Sequence, residues 1–403
     1  MKKVLAIVLC VALLAGLCVS LIACNGDGDD TFKIGFICLH DENSTYDKNF
    51  LDGVAEVKAK LGLTDDQIII KKNIPESNDC YVAAAELADA GCDIVFANSF
   101  GHEKHILKAA KEFPEVQFCH ATGTMAHTEN VANFHNAFAS IYEGRYLAGV
   151  AAGVKLQEMM AADNTVVPKI GYVGAYTYAE VVSGYTSFYL GVKSIVSNVT
   201  MEVQFTGSWY DEIEEKNAAN ALINNGCVLI SQHADSWGAP TACELLGVPN
   251  VSYNGSTKSA CPNTFIISSR INWAPYYEYI ITQVKNGEAI ATDWTGTIAT
   301  GSVVLTDLNE DAYESATTAA AAKTEINTAK AKLQNGSLKV FATSTFTVDG
   351  QALTSYKADV DTDDAFTPDT EVIANGYFDE SAKRSAPYFD INIDGITLLN
   401  TKF

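Results

Sequence analysis

The chain lacks the sequence words of the familiar catalytic and phosphate-binding sites. It has no G-x-S-x-G elbow, no G-x-x-x-x-G-K-[ST] loop, no H-E-x-x-H helix and no G-x-G-x-x-G fingerprint, so nothing in it calls for an enzyme. Positive charge is scarce. Setting aside Lys2 and Lys3 leaves 25 basic against 49 acidic side chains, a formal charge of −24. Such a surface repels phosphate backbones and anionic lipid, which argues against nucleic-acid binding and against a polybasic membrane patch. Metal spacing is missing too. Beyond Cys24 there are seven cysteines, at 38, 80, 92, 119, 227, 243 and 261, with no C-x-x-C among them. That odd count disfavours both a disulfide framework and a zinc site. Cys38, Cys92, Cys119 and Cys227 fall in apolar runs and read as small core residues. His102 and His105, three apart, could share a helix face, but without a third ligand they read as solvated histidines. No metal and no cofactor is expected.

The N-terminus carries an export pattern. Lys2 and Lys3 precede the apolar segment Val4 to Leu21, and Leu21-Ile22-Ala23-Cys24 resembles a bacterial lipobox. Residues 1–23 then read as a signal peptide, Cys24 as the lipidated first residue of the mature chain, and 24–30 as a flexible tether. A single acyl chain holds weakly, so a di- or triacyl group would keep the body on the membrane.

The remaining 380 residues suffice for two cores, and the sequence states one architecture twice. Gly91-Cys92-Asp93-Ile94-Val95 and Gly226-Cys227-Val228-Leu229-Ile230 lie 135 residues apart; Lys33-Ile34-Gly35-Phe36 and Lys169-Ile170-Gly171-Tyr172 lie 136 apart. Two landmark pairs with nearly one offset suggest a duplicated lobe of βαβ units. In the second copy, Asp211 with Glu214 reads as a capping box, and Ala218, Ala221 and Leu222 form the apolar stripe. Gly226 stops that helix before a strand from Cys227 to Ile230. The word Tyr142 to Gly149 opens a helix rich in small residues, suited to close packing. The expected division is 31–138 with about 273–337 as lobe 1, 139–272 as lobe 2, and 338–403 completing both. Crossings are expected near Phe138 and Trp273. Within the last stretches the expectation is a helix from Asn309 to Leu333, a strand word at Val340 to Ala342, and an acidic exposed loop from Asp359 to Asp369.

In open α/β sheets, ligands bind beyond the carboxyl ends of the strands. Aromatics and short polar side chains gather at those positions: Tyr46, Asp47, Asn49 and Phe50; Asn98, Ser99 and Phe100; Trp209; Gln232 and Asp235; Asn254; Trp273. Ring faces with carboxylates and amides suit a flat, uncharged, heteroatom-rich ligand such as a purine base or nucleoside. No Lys/Arg cluster waits for a phosphate.

Several words together are similar to the basic membrane protein family, the purine nucleoside receptor-like lipoproteins of ABC transporters. They are the lipobox, Asp47-Lys48-Asn49-Phe50, Tyr142 to Gly149, Lys169 to Gly174, Thr206-Gly207-Ser208-Trp209-Tyr210-Asp211 and Gln232-His233-Ala234-Asp235-Ser236. The likeness runs from about Lys33 to Tyr277 and more loosely to the end. It implies a periplasmic-binding-protein type I fold, α/β, with two Rossmann-like lobes hinged around a cleft, working as a monomeric, lipid-anchored extracytoplasmic receptor for an ABC permease. Carried over by position, Asp47 binds the base with Phe50 near it, Phe134 or Trp209 stacks, and Asp235 takes a sugar hydroxyl or a base edge. Asn98, Asn254 and Trp273 complete the expected set, and Lys258 is a candidate for the basic sugar contact of nucleoside binders. The first loop, Glu42-Asn43-Ser44-Thr45-Tyr46, departs from the glycine-rich loop common in the family, and the Trp209 and Trp273 words look like a branch binding free bases. A sugar or autoinducer receptor of the same fold, a surface nucleoside-processing enzyme and a structural lipoprotein are the competing readings.

Overall fold

A computed structural model describes residues 32–360 and 368–403. The signal segment, Cys24 and its tether lie outside the described residues, as does most of the acidic stretch from Asp359 to Asp369.

Two mainly parallel sheets carry the fold. The first contains β1 (Ile34–Ile37), β2 (Ile68–Lys71), β3 (Ile94–Ala97), β4 (Gln117–Ala121) and β5 (Phe134–Ala139). The second contains β6 (Lys169–Gly174), β7 (Thr200–Phe205), β8 (Leu229–Gln232), β9 (Asn250–Tyr253) and β10 (Phe265–Ile271). Two late strands, β11 (Asp293–Gly296) and β12 (Val303–Leu305), close one edge of each. The orders are β2-β1-β3-β4-β5-β11 and β7-β6-β8-β9-β10-β12, with Ile396–Leu398 added beside β7. The second order repeats the first, which is the duplication expected from the paired words around Gly35 and Gly171. Helices between strands cover the faces, and β1–β3 and β6–β8 form the topological switch points where a ligand cleft opens.

Local chemistry fixes the elements. Ser44 caps helix Thr45–Leu61 by accepting from the Asp47 amide at 3.2 Å, and Gly62, at φ 64, ends it. Asp211 caps helix Glu212–Asn224 by accepting from the Ile213 and Glu214 amides. The carboxylate that reaches back to the Asp211 amide belongs to Glu215, not Glu214, and the buried stripe uses Ala219 where Ala221 was expected. The following strand starts at Leu229, because pairing with Ile170 begins only there.

The lobe division departs from the expected one after β11. β11 pairs with β5 in the first sheet, but β12 pairs antiparallel with β10 in the second. Helix Ala316–Gln334 follows it there, packing on helix Ile141–Ala162, while the Tyr313 hydroxyl donates to the Ala151 carbonyl at 3.0 Å. Residues 303–334 thus sit with the second lobe. Their helix is also split: a single turn at Glu310–Ala312 precedes Ser315, which caps the main helix. Val340 to Ala342 form no strand, only an isolated bridge from Ala342 to Tyr377.

The first lobe's core gathers Ile37, Leu87, Val95, Ile106 and Phe118; the second gathers Val173, Ala219, Leu222 and Ile230. Cys38, Cys92, Cys119 and Cys227 are buried, as their apolar runs suggested. Among the described residues no helix is long and apolar enough to cross a membrane.

Candidate functional site

The strand ends of the two sheets face one another across a cleft. From the first lobe come Leu39 after β1, Tyr46 in the first turn of helix Thr45–Leu61, Ser99 and Phe100 after β3, and Thr122 after β4. From the second come Glu180 in the first turn of helix Ala179–Lys193, Trp209 after β7, His233 and Asp235 after β8, and Tyr253 at the end of β9. Together they line a space of about 330 Å³.

The lobes are joined at this cleft. The Thr45 amide and hydroxyl both donate to the Asp235 carbonyl, at 3.1 and 3.0 Å, and Asn49 Nδ2 donates to Asn254 Oδ1 at 3.0 Å. At the rim the Phe100 ring stacks on Tyr178, centroids 5.1 Å apart.

Of the eight residues expected at the site, Trp209 and Asp235 line the cavity. Asp47, Asn98 and Asn254 stand one layer behind. Asn98 accepts from the Leu39 amide, donates to Asp47 Oδ1 at 2.7 Å and, through its carbonyl, accepts from the Tyr46 hydroxyl at 2.6 Å. Asp47 Oδ1 also accepts from the His40 amide, whereas Oδ2 has no hydrogen-bond partner among the described residues. Asn254, held at φ 64, points its amide nitrogen at Asp235 Oδ1, 3.5 Å away. Phe50 backs Tyr46, with centroids 4.8 Å apart.

Two expected residues lie elsewhere. Trp273 is buried in the first lobe's aromatic core, stacked on Phe50 at 4.5 Å and packed against Phe96. Phe134 opens β5, at the end of the strand away from the cleft, and belongs to the core with Phe118 and Val116. Lys258 is exposed and 3.6 Å from Asp311 on the surface. His102 is not solvated: it is buried with Nε2 on the Ile74 carbonyl.

Sequence reasoning passed over Arg145. It is 1% exposed, with its guanidinium 3.3 Å from the Tyr253 ring centre, donating to the Gln232 carbonyl at 2.9 Å and to His233 Nδ1 at 3.0 Å. Since Nδ1 accepts, the His233 proton sits on Nε2, which faces Glu180 Oε1 at 3.5 Å. Burial holds this imidazole below its usual pKa, against the pull of Glu180 and with the Arg145 charge adding to the depression. Thr122 and Tyr253 were missed too, although both obey the strand-end rule.

The electrostatics of the cavity are acidic. Burial pushes the Asp235 carboxyl well above its ordinary range, and the nearby Asp47, Glu215 and Glu180 carboxylates push the same way. Glu215, buried behind Asp235, accepts from the Ser236 amide at 3.2 Å and is raised by burial to about 7. Among the described residues no lysine or arginine lines the cavity. The site therefore offers hydrogen-bond acceptors between ring faces and no seat for an anion.

The profile of the family described as ABC transporter substrate-binding protein, PnrA-like, matches residues 38–336. A purine-binding protein of Brucella abortus is 31% identical over 252 residues, 62% of this chain and 67% of that protein. A putative ABC transporter glucose-binding protein of Haloferax volcanii is 30% identical over 65% of this chain and 62% of its own length. The nucleoside-binding protein BmpA of Lactococcus lactis is 28% identical over 42% of this chain and 44% of its own. Among solved structures, an ABC transporter solute-binding protein of Aeropyrum pernix superimposes with a TM-score of 0.63 at 16% identity, covering 77% of this chain and 93% of that one. One from Conexibacter woesei gives 0.62 at 20% identity, over 77% of this chain and 98% of the other. These are proteins of the periplasmic-binding-protein type I fold, so the expected fold class stands.

Proposed function

Because the chain belongs to the PnrA-like family of ABC transporter substrate-binding proteins, we propose that its cleft captures a purine nucleoside or base and delivers it to a membrane permease. One observation carries the ligand class: Asp235 and Glu180 face into a cavity walled by Tyr46, Phe100, Trp209 and Tyr253. A purine presents two flat faces for such rings and N–H groups for such acceptors. Asp235 and Trp209 are the proposed direct contacts, Asp47, Asn98 and Asn254 hold them and Tyr46 in place, and Phe50 backs Tyr46. The Brucella and Lactococcus relatives, named for purine and nucleoside binding, support this ligand. The Haloferax relative, named for glucose, makes a sugar the competing ligand.

Anchoring through a lipid on Cys24, an extracytoplasmic monomer and a two-lobe division crossing near 139, 272 and 300 complete the proposal. The test is a thermal-shift panel on the chain from Asn25 onward, with adenine, guanine, adenosine, guanosine, inosine, pyrimidine nucleosides, ribose, galactose and glucose. A specific ligand at a hundredfold excess over Kd adds about 2.7 kcal/mol of stability. Shifts with purines alone support the reading. A shift with a sugar alone contradicts it, and release of free base from adenosine or inosine would contradict a receptor role.

A further inference from the structure

The chain beyond residue 336, where the family match ends, is built onto the second lobe. Ile396–Leu398 pairs in parallel with Met201, Glu202 and Val203 of β7. The Asn400 side chain accepts from the Phe205 amide at 2.8 Å and donates to the Phe205 carbonyl at 2.9 Å. Glu380 accepts from the Ser183 hydroxyl of helix Ala179–Lys193 at 2.6 Å and from the Tyr388 and Phe389 amides at 3.2 and 3.0 Å. This buried carboxyl therefore ties both ends of the loop 380–389 to that helix. Within the loop, Arg384 donates to the Ala386 and Pro387 carbonyls at 3.1 and 3.0 Å, which stiffens it.

The same loop reaches the first lobe. The Ser385 amide donates to Asp293 Oδ2 of β11 at 2.6 Å, and His127 Nε2, on the short helix Met125–Glu129, lies 2.8 Å from that oxygen. Beside this bond is a space of about 620 Å³ lined by Arg384, Ala386 and Pro387 together with Phe100, Thr122 and Thr124 of the first lobe. The loop is thus held there by a charge-assisted hydrogen bond next to open space, not by a packed face. The pair also leaves an acceptor and a donor unmet: Asp293 Oδ1 and Ser385 Oγ are buried with no hydrogen-bond partner among the described residues. Unpaired buried polar groups cost free energy that water returns on separation. The contact is therefore tight at one point and free to part.

We propose that the segment beyond residue 336 is a latch: carried by the second lobe, it engages Asp293 when the lobes close and releases it when they open, so that it prolongs the closed state. The inference rests on the hinged-receptor reading but not on the ligand being a purine. A bond present in the closed state alone slows opening, so it acts on ligand release more than on capture.

The experiment combines stopped-flow release of adenosine with small-angle X-ray scattering of the unliganded mature chain, in wild type and three variants. Asp293→Ala removes the acceptor. Ser385→Pro removes the amide hydrogen from the other side and leaves Asp293 with His127. His127→Ala keeps the latch bond and removes the carboxylate's other partner. Asp293→Ala and Ser385→Pro are each expected to speed release about tenfold, the scale of a hydrogen bond to a charged group, with association changed less than about twofold. Both are also expected to enlarge the radius of gyration of the unliganded chain, and His127→Ala to match wild type in both readouts. Unchanged release in the two latch variants overturns the proposal. So does an equal effect of His127→Ala, which would place the cause in the first lobe's own fold. If one latch variant does not fold, the other decides. If adenosine does not bind wild type, the purine reading fails by itself, and the scattering comparison decides the latch, an unchanged radius overturning it.

Discussion

Asp235 carries the most weight of any single residue. Its carbonyl receives the first lobe through Thr45, and its carboxylate faces the cavity. Asp235→Ala is expected to cost about 1.5–3 kcal/mol of ligand binding, roughly ten- to a hundredfold in Kd, as measured by titration; unchanged affinity would remove this residue from the site. Glu215 provides a pH signature. Its folded carboxyl is raised from 4.5 to about 7 by burial, so the stability it contributes is complete below about pH 4.5 and is lost as pH rises through 7. Glu215→Gln, neutral at every pH, is expected to match wild type near pH 4.5 and to exceed it by about 2–3 kcal/mol at pH 8. Urea unfolding at the two pH values reads this. Glu380, also raised to about 7, titrates in the same window in both proteins and cancels from the difference. At this scale the sequence was legible where a side chain directly follows a strand, as with Asp235 and Trp209. It was silent on Arg145, which lies inside a helix and reaches the cavity wall only through tertiary contact with Tyr253 and His233.

Among the elements, the crossing of helices Ile141–Ala162 and Ala179–Lys193 is the most tightly constrained. A Cβ on Gly149 would lie 2.2 Å from the Phe188 carbonyl oxygen, and one on Gly191 would lie 2.1 Å from the Tyr146 carbonyl oxygen. Neither backbone can yield without parting the helices. Gly149→Ala is therefore expected to destabilise by about 1–3 kcal/mol, read as a lower urea midpoint at unchanged slope. The small residues of the Tyr142 to Gly149 word announce this approach, though not the partner helix. Element boundaries moved where pairing rather than composition decides them: Cys227 and Val228 are as apolar as a strand, yet β8 begins at Leu229. Trp273 moved for a related reason: strand-end position alone does not distinguish a ring facing the cleft from one turned into the aromatic core below it. Phe134, expected only by position in the resemblance, opens β5 at the end away from the cleft.

For the whole molecule, the duplicated order of strands was readable because both copies keep the same words at nearly one spacing. The third crossing was not, since β12 is three residues long and its partner is fixed only by antiparallel pairing with β10. The Phe100–Tyr178 stack joins the two lobes at the rim, its rings 42% and 41% exposed. In a hinged receptor, ligand is held while the closed state persists. Phe100→Ala is expected to speed ligand dissociation several-fold while association changes little, which stopped-flow fluorescence of the neighbouring Trp209 can follow; equal effects on both rates would speak against a clasp. The claim that unites these scales is that the acidic, ring-walled cleft binds a purine. Its most direct test is calorimetric titration of adenosine and adenine, with glucose as control, into mature chain stripped of bound ligand by unfolding and refolding. Saturable one-to-one binding of a purine, with no heat from glucose, is the predicted result. Binding of glucose without either purine would contradict the account.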